Sequence, residues 1–204
     1  MVRWQKIKDR LCFPLLIVSS SDVARSLSLT PIDEERIAMA RSYCRGLLLD
    51  IGCGANELIR DYRSTEGKAI GVDVYPWMGA DVVCDTTRLP FPDMHFDTVT
   101  MLACLNHIAR PKRDQVLQEA KRVLKDEGQL VITMINPVVG LFAHTIRRRF
   151  DPDQLERGMG EEEENGLWKK EVERLLGGNG FHIIQIVPFV FGLNRLYIAQ
   201  KPPR

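Results

Sequence analysis

Strand and helix signals that alternate from residue 47 to residue 135, a Gly-x-Gly turn at the end of the first strand, and two strands joined by a short turn near the C-terminus predict the fold class. It is α/β: a doubly wound, mostly parallel seven-stranded sheet with an antiparallel last strand, preceded by N-terminal helices. Right-handed crossovers between parallel strands leave a ligand crevice at the carboxyl ends of those strands.

The 204 residues suffice for one domain with a large core and are short for two. Apolar residues make up 45% and charged residues 27%, ordinary globular usage, and the formal net charge is +1. No bulk field therefore calls for nucleic acid or an anionic membrane. Cys12, Cys44, Cys53, Cys84 and Cys104 show no CxxC spacing, and two lie in or beside core strands. This suits a reducing compartment. Arg3, Lys6, Lys8 and Arg10 followed by the apolar run 11–18 mimic a secretion signal, but the run is short, broken by Pro14 and lacks a small-x-small cleavage site. No run reaches the length of a membrane span. The expected location is cytoplasmic.

Residues 1–45 read as a helical preface, which either packs on the core or covers the ligand site. Thr30-Pro31 followed by Asp33, Glu34 and Glu35 is a helix start: a capping hydroxyl, proline at the first position, and negative charge at the positive end of the dipole. Ile37, Ala40 and Cys44 fall on one face, and Asp22 is placed to cap a shorter helix upstream.

Strands are predicted at Leu47–Ile51, Ala69–Val74, Asp81–Cys84, Thr98–Leu102 and Leu130–Ile135. The clearest helix lies between the last two: Pro111 opens it, Val116, Leu117, Ala120, Val123 and Leu124 form its apolar stripe, and Gly128 follows its end. The connection 136–165 breaks the rhythm, with Arg147–Arg149, acids at Asp151 and Asp153, and the run Glu161–Glu164. A connection of that length in a compact domain is usually functional or mobile, so it is expected to be a long insert that could serve as a lid. A further helix carries Leu167, Trp168, Val172, Leu175 and Leu176 and ends at Gly177-Gly178. Two strands, Phe181–Val187 and Arg195–Lys201, flank a turn near Gly192 and form an antiparallel pair.

The stretch LLLDIGCGANE at 47–57 organises the chain. A buried strand ends in an acid, glycines let the backbone pass close to a ligand, and the amides of a helix start face whatever is bound there. Asp73, at the end of the second strand, is placed to accept both ribose hydroxyls of an adenosine. The competing reading is a strand-end acid that caps a turn. A dinucleotide fingerprint needs Gly or Ala where this chain has Glu57, and a carboxylate there repels a pyrophosphate. S-adenosylmethionine, a sulfonium without phosphate, meets no such conflict.

With LLLDIGCGANE at 47–57, the segments AIGVDVY at 69–75, DVVCDTTRLPF at 81–91, FDTVTMLACLNHI at 96–108 and RVLKDEGQLVI at 122–132 resemble the successive motifs of class I S-adenosylmethionine-dependent methyltransferases. Their order and spacing are similar to the small-molecule, ubiquinone-biosynthesis-like branch, over about residues 46–201. The resemblance implies a Rossmann-like domain at 46–204, S-adenosylmethionine as cofactor with S-adenosylhomocysteine as product, and no metal. Asp50, Gly52 and Gly54 would lie along the methionine part, with Cys53 and Ala55 in the turn. Asp73 would hold the ribose, Val74 the adenine face, and Asp85 and Thr86 the adenine edge. Leu102 and Ala103 would offer a carbonyl to the methionine ammonium. The family's usual glycine after the Gly-x-Gly pair is Asn56 here, and its frequent glutamate before the histidine is Asn106.

The chemistry implied is alignment of a nucleophile with an activated methyl, plus a base where that nucleophile carries a proton. His107, at the end of the fourth strand, is the candidate base; the alternative is a histidine that caps the next helix or shapes the pocket wall. His144 is a weaker candidate, and His95 and His182 read as structural. Arg147–Arg149 either clamp an anionic substrate group or form a solvated turn paired with the nearby acids.

The expected partner is a small-molecule methyl acceptor, without nucleic acid, for a monomer or homodimer. Three other readings compete. An RNA or protein methyltransferase acting on exocyclic amines would carry an Asn/Asp-Pro-Pro-aromatic tetrad where this chain has ACLNHI. A nicotinamide dehydrogenase would use Tyr-x-x-x-Lys; Tyr197 and Lys201 have that spacing but lie in a strand pattern, not on a helix face. A catalytically inactive cofactor-binding module is the third.

Overall fold

A computed structural model describes residues 11–12, 21–65, 67–147 and 163–203. The basic and apolar run at the N-terminus lies almost wholly outside the described residues, as do Arg148, Arg149, Asp151, Asp153, Glu161 and Glu162 and the side chains of His144 and Arg147.

The elements follow in order: helices α1 (Ser21–Ser26) and α2 (Ile32–Arg41), then β1 (Leu48–Ile51), α3 (Glu57–Thr65), β2 (Ala69–Asp73), β3 (Val82–Val83) and β4 (Phe96–Leu102). Two short 3-10 turns, Leu105–His107 and Arg110–Lys112, lead into α4 (Arg113–Val123). They are followed by β5 (Leu124–Ile135), α5 (Pro137–Arg147), α6 (Lys169–Gly178), β6 (His182–Phe189), a 3-10 turn at Val190–Gly192, and β7 (Asn194–Gln200).

The seven strands form one sheet in the order β3-β2-β1-β4-β5-β7-β6. Strands β1 to β5 pair in parallel, and β7 runs antiparallel to both β5 and β6. The predicted antiparallel last strand is present, inserted between β5 and β6. β1 is buried along its whole length and β4 along most of its own. Such strands need cover on both faces, and helices supply it. The largest apolar cluster joins Leu49, Val99, Leu130 and Ile132 of the sheet to Val116, Leu117 and Ala120 of α4 and Val172 and Leu176 of α6. On the opposite face Ala40 of α2 packs with Val131, Leu196 and Ile198, and Cys44 with Leu48, Leu58 and Tyr62.

Several local expectations differ from what forms. Pro31 occupies the N-cap of α2 and no side chain caps it; the acids Asp33, Glu34 and Glu35 still fill the first turn. Asp22 lies inside the first turn of α1, where it pairs with Arg25 at 2.9 Å, and does not cap it. Gly128 does not close α4. The chain becomes extended at Leu124, directly after the helix, because Leu124 pairs with Phe96 in the sheet, and Glu127 makes the later bend at φ 59°. Trp168 precedes α6 at its N-cap with its ring exposed, so that helix is shorter than its apolar pattern.

The two ends of the long connection meet. A Cβ on Gly140 of α5 would stand 1.7 Å from the Asn165 carbonyl oxygen, so the absence of a side chain allows the backbones to touch. Gly177 of α6 has nothing within 4 Å of such a Cβ. Gly140→Ala is therefore expected to destabilise the protein by about 1–3 kcal/mol, as overpacking does. Gly177→Ala should be neutral or stabilise by up to roughly 1 kcal/mol through helix propensity. Urea denaturation of the two variants checks the contrast; equal effects would contradict the packing.

Candidate functional site

The site is built on the carboxyl edge of β1, β2 and β4. After Ile51 the chain turns sharply. The Gly52 and Cys53 amides both donate to the Val72 carbonyl, at 2.8 and 3.1 Å, which ties the turn to the neighbouring strand. Gly52 sits at φ 74° with Cys104 Sγ only 2.3 Å from where its Cβ would be, so both conformation and space exclude a side chain. Gly54 is at φ 50° with open space on its outer side. Asn56 adopts φ 62°, a left-handed conformation that asparagine tolerates. Its amide nitrogen donates to the Gly79 carbonyl (2.7 Å) and to Asp81 Oδ2 (3.2 Å), bracing the turn from behind.

Two carboxylates stand beneath this turn. Asp73, 7% exposed, accepts the Gly54 amide on one oxygen and the Tyr75 amide on the other, each at 3.0 Å. A carboxylate offers about four acceptor positions, so two remain for a pair of ligand hydroxyls. Asp50, 3% exposed, accepts a 2.6 Å hydrogen bond from Thr100 Oγ1 across the β1–β4 pairing. Burial pushes its carboxyl up to about 7; the Asp73 charge adds to that and the Thr100 bond opposes it. The Cys53 thiol is likewise pushed well above its ordinary value by burial and by Asp50 and Asp73. It is a buried, protonated wall group.

Beside the turn lies a hollow of about 390 Å³, lined among others by Val74, Asp85, Thr86, His107, Ile108 and Lys112. Val74 is 53% exposed at its mouth, whereas Thr86 is buried. Asp85 Oδ1 accepts from the Thr87 amide (2.9 Å) and hydroxyl (2.7 Å), which hold its carboxyl below the usual range. His107 stands in the 3-10 turn after β4, and its Nδ1 lies 2.9 Å from Glu163 Oε2. Glu163 also lines the hollow.

Gly54 and Asp73 are thus bonded to each other, Gly52 and Cys53 to Val72, and Asp50 to Thr100, while Val74, Asp85, Thr86 and His107 share one hollow that none of the turn residues lines. Ala55 is exposed at the turn. Leu102 ends β4, beside β1, and Ala103 follows it; neither is among the hollow's lining. Ala103 is at φ 51°, with its amide donating to Thr133 Oγ1 at 3.0 Å. Tyr197 belongs to the core on β7, where burial pushes its phenol up to about 12, and Lys201 is buried against the Leu124 carbonyl at 2.6 Å. Neither is placed for a dehydrogenase's proton relay.

Sequence reasoning missed Glu163. The acids at the end of the long connection read as partners of the arginine run, but Glu164 pairs with Arg110 and, at 2.9 Å, with the buried Arg113. Glu163 reaches His107. Thr87, Lys112 and Ile108 were missed as well, because nothing in their spacing marks them as lining residues.

Residues 49–132 match the family model described as a methyltransferase domain, so the match spans the turn, both acids and the hollow's Val74, Asp85, Thr86 and His107. Over these residues the chain is similar to S-adenosylmethionine-dependent methyltransferases. It is 32% identical over 120 residues to the ubiquinone/menaquinone biosynthesis C-methyltransferase UbiE of Laribacter hongkongensis, an alignment covering 47% of this chain and 48% of that one. It is 30% identical over 95 residues to the Bos taurus protein named Probable tRNA methyltransferase 9B, covering 42% of this chain and 20% of that one. The chain therefore spans about half the length, or less, of these curated relatives. Its fold is similar to that of a crystal structure of an S-adenosylmethionine-dependent methyltransferase from Methanosarcina mazei. There the TM-score is 0.62 at 21% identity, over 81% of this chain and 98% of that one.

The matching family model and the similar folds imply S-adenosylmethionine as cofactor, and the donor set present here fits it. The turn is open outside Gly54, Asp73 keeps acceptor positions for two hydroxyls, and carboxylates rather than arginines stand beneath the turn, which suits a cationic ligand and disfavours a pyrophosphate.

The Asp50 carboxyl titrates near 3.8 in an unfolded chain and near 7 in the fold, so the folded protein holds that proton more tightly. Its contribution to stability is complete below pH 4 and is lost as the pH rises through 7. Asp50→Asn keeps an acceptor for Thr100 without the charge. It is expected to stabilise the ligand-free protein at pH 8 by about 2–4 kcal/mol, the equivalent of a shift of a few pK steps, and to change little at pH 4. Chemical denaturation at both pH values checks this; equal differences at the two would contradict the buried-acid reading.

Proposed function

We propose that this chain transfers a methyl group from S-adenosylmethionine to a small-molecule acceptor, with the cofactor along the Gly52–Gly54 turn and the acceptor approaching past His107. The observation that carries the reading is the union of one open, left-handed glycine turn with a buried ribose-type acid and an adjoining nucleoside-sized hollow. Identity to a quinone-biosynthesis C-methyltransferase and the near-neutral charge support a small acceptor.

In this reading Asp50, Gly52, Cys53, Gly54 and Ala55 line the methionine part, and Leu102 and Ala103 flank it with a β4-end carbonyl. Asp73 holds the ribose, and Val74, Asp85 and Thr86 meet the adenine. The bound cofactor supplies a methyl on a sulfonium, already activated towards a nucleophile. The protein's task is then to orient the acceptor, exclude water, and take a proton where the nucleophile carries one. His107 is the group for that last step. Glu163, on the return limb of the connection, lines the hollow beside His107. Of the preface, α2 packs on the core through Ala40, and a cytoplasmic location suits this chemistry. Among the described residues no helix is long and apolar enough to cross a membrane.

A second reading, methylation of tRNA, is favoured by the similarity to the bovine protein. Labelled methyl donor offered with a metabolite extract in one reaction and total RNA in another separates the two, with label expected in the metabolite fraction.

Asp73→Ala is expected to weaken S-adenosylhomocysteine binding at least tenfold, about 1.4 kcal/mol or more, with the fold retained. Calorimetry with S-adenosylhomocysteine, beside NADH as control, measures it. Unchanged affinity would overturn the ribose assignment, and NADH binding in place of S-adenosylhomocysteine would overturn the function.

A further inference from the structure

The return limb of the long connection, from residue 163 onward, is bonded to the turn that carries His107. The Glu164 amide donates to the Asn106 carbonyl (2.9 Å), and Asn106 Nδ2 donates back to the Glu164 carbonyl (3.0 Å). The Glu164 carboxylate accepts from Arg113, only 1% exposed, which also donates through Nε to the Ile108 carbonyl (2.9 Å). These bonds bracket His107 on both sides in sequence. The result is that Glu163 arrives opposite the imidazole with a fixed backbone, its Oε2 at 2.9 Å from Nδ1, both side chains being largely buried (17% and 10% exposed).

We infer that Glu163 is a positioning residue for His107: its carboxylate holds the imidazole in the Nδ1–H tautomer, so that the lone pair is on Nε2 and can take the proton of a hydroxyl-bearing acceptor. The inference rests on the proposed role of His107. It adds the source of the orienting group and the class of acceptor. An ionised carboxylate only accepts hydrogen bonds, so a neutral imidazole facing it must place its proton on Nδ1. A free imidazole prefers the opposite tautomer, with the proton on Nε2, in which that nitrogen cannot act as a base. When the acceptor's O–H proton moves to Nε2, the products are an oxyanion and an imidazolium, and the Glu163 carboxylate stabilises the imidazolium in place. The same logic of nucleophile, base and orienting acid recurs on unrelated folds. The acid here is contributed from the far end of a connection that begins after β5, so base and orienting group come from separate parts of the sequence.

The test reads the tautomer directly. In ¹⁵N-histidine-labelled full-length protein at pH 8, long-range ¹H–¹⁵N correlation, with His107→Gln to assign the signal, is expected to show Nδ1 protonated and Nε2 bare. Glu163→Gln retains an acceptor oxygen and is expected to keep that pattern. Glu163→Ala is expected to move the signal to the Nε2–H form. Far-UV circular dichroism of Glu163→Ala confirms that the fold persists, and the native protein alone already decides the matter if that variant fails to fold. An Nε2–H imidazole, or a doubly protonated one, in the native protein would overturn the inference, as would a pattern unaltered in Glu163→Ala. Failure of S-adenosylhomocysteine to bind any form would instead overturn the proposed function and leave the tautomer result standing.

Discussion

A single hydrogen bond, from the Gly54 amide to the Asp73 carboxylate, joins the two parts on which the site depends. It spans from the turn after β1 to the tip of β2, and it forms only because both flanking constraints are met. The turn must reach left-handed conformations at Gly52, Gly54 and Asn56, and the strands must lie side by side with Ile51 level with Val72. Where these hold, the turn's outer face stays open while an acid with spare acceptor positions lies beneath it. The neighbouring Asp50 is the cost of that arrangement: a carboxyl buried among strands, held partly protonated near neutrality. A cation bound above it would favour its ionised form, which couples occupancy of the site to the charge state of the strand below.

The other side of the hollow depends on a different anchor. Arg113 is buried at the start of α4, and burying a guanidinium is costly unless its donors are satisfied. Glu164 and the Ile108 carbonyl satisfy it, and Glu171 stands within 3.6 Å. The return limb of the long connection is thereby fixed to the 3-10 turn that carries His107. The outgoing limb meets it at Gly140 and Asn165, so whatever the intervening chain does, its two ends are held at one point beside the site. The preface helix α2 contributes elsewhere, packing Ala40 against the sheet between β5 and β7.

Much of this architecture is legible in the sequence. The apolar runs of β1, β2 and β4 mark buried parallel strands because strands covered on both faces have no polar side to show. The stripe Val116, Leu117, Ala120 and Val123 marks α4 because burial on one helix face imposes that spacing. Boundaries were less legible where a neighbour outweighed local preference. Gly128 reads as a helix stop, but pairing of Leu124 with Phe96 ends α4 first. Trp168 continues an apolar helical pattern, but its place is the N-cap. In the site, the glycines and Asp73 announce themselves through conformational need and strand-end position. Glu163 has no such mark, since an acid in an acidic run looks like solvated surface until the chain is folded back.

The sequence by itself determined the strand–helix alternation, the left-handed turn at residues 52–56 and the acids that stand at the strand tips, because these follow from burial periodicity and backbone sterics within a few residues. Only the tertiary structure decided that β7 enters between β5 and β6, that Asp50 lies against Thr100, and that Glu163 faces His107. Those are contacts between segments far apart in the chain. Their partners are chosen by which surfaces the packed sheet leaves adjacent, and no local preference encodes that choice.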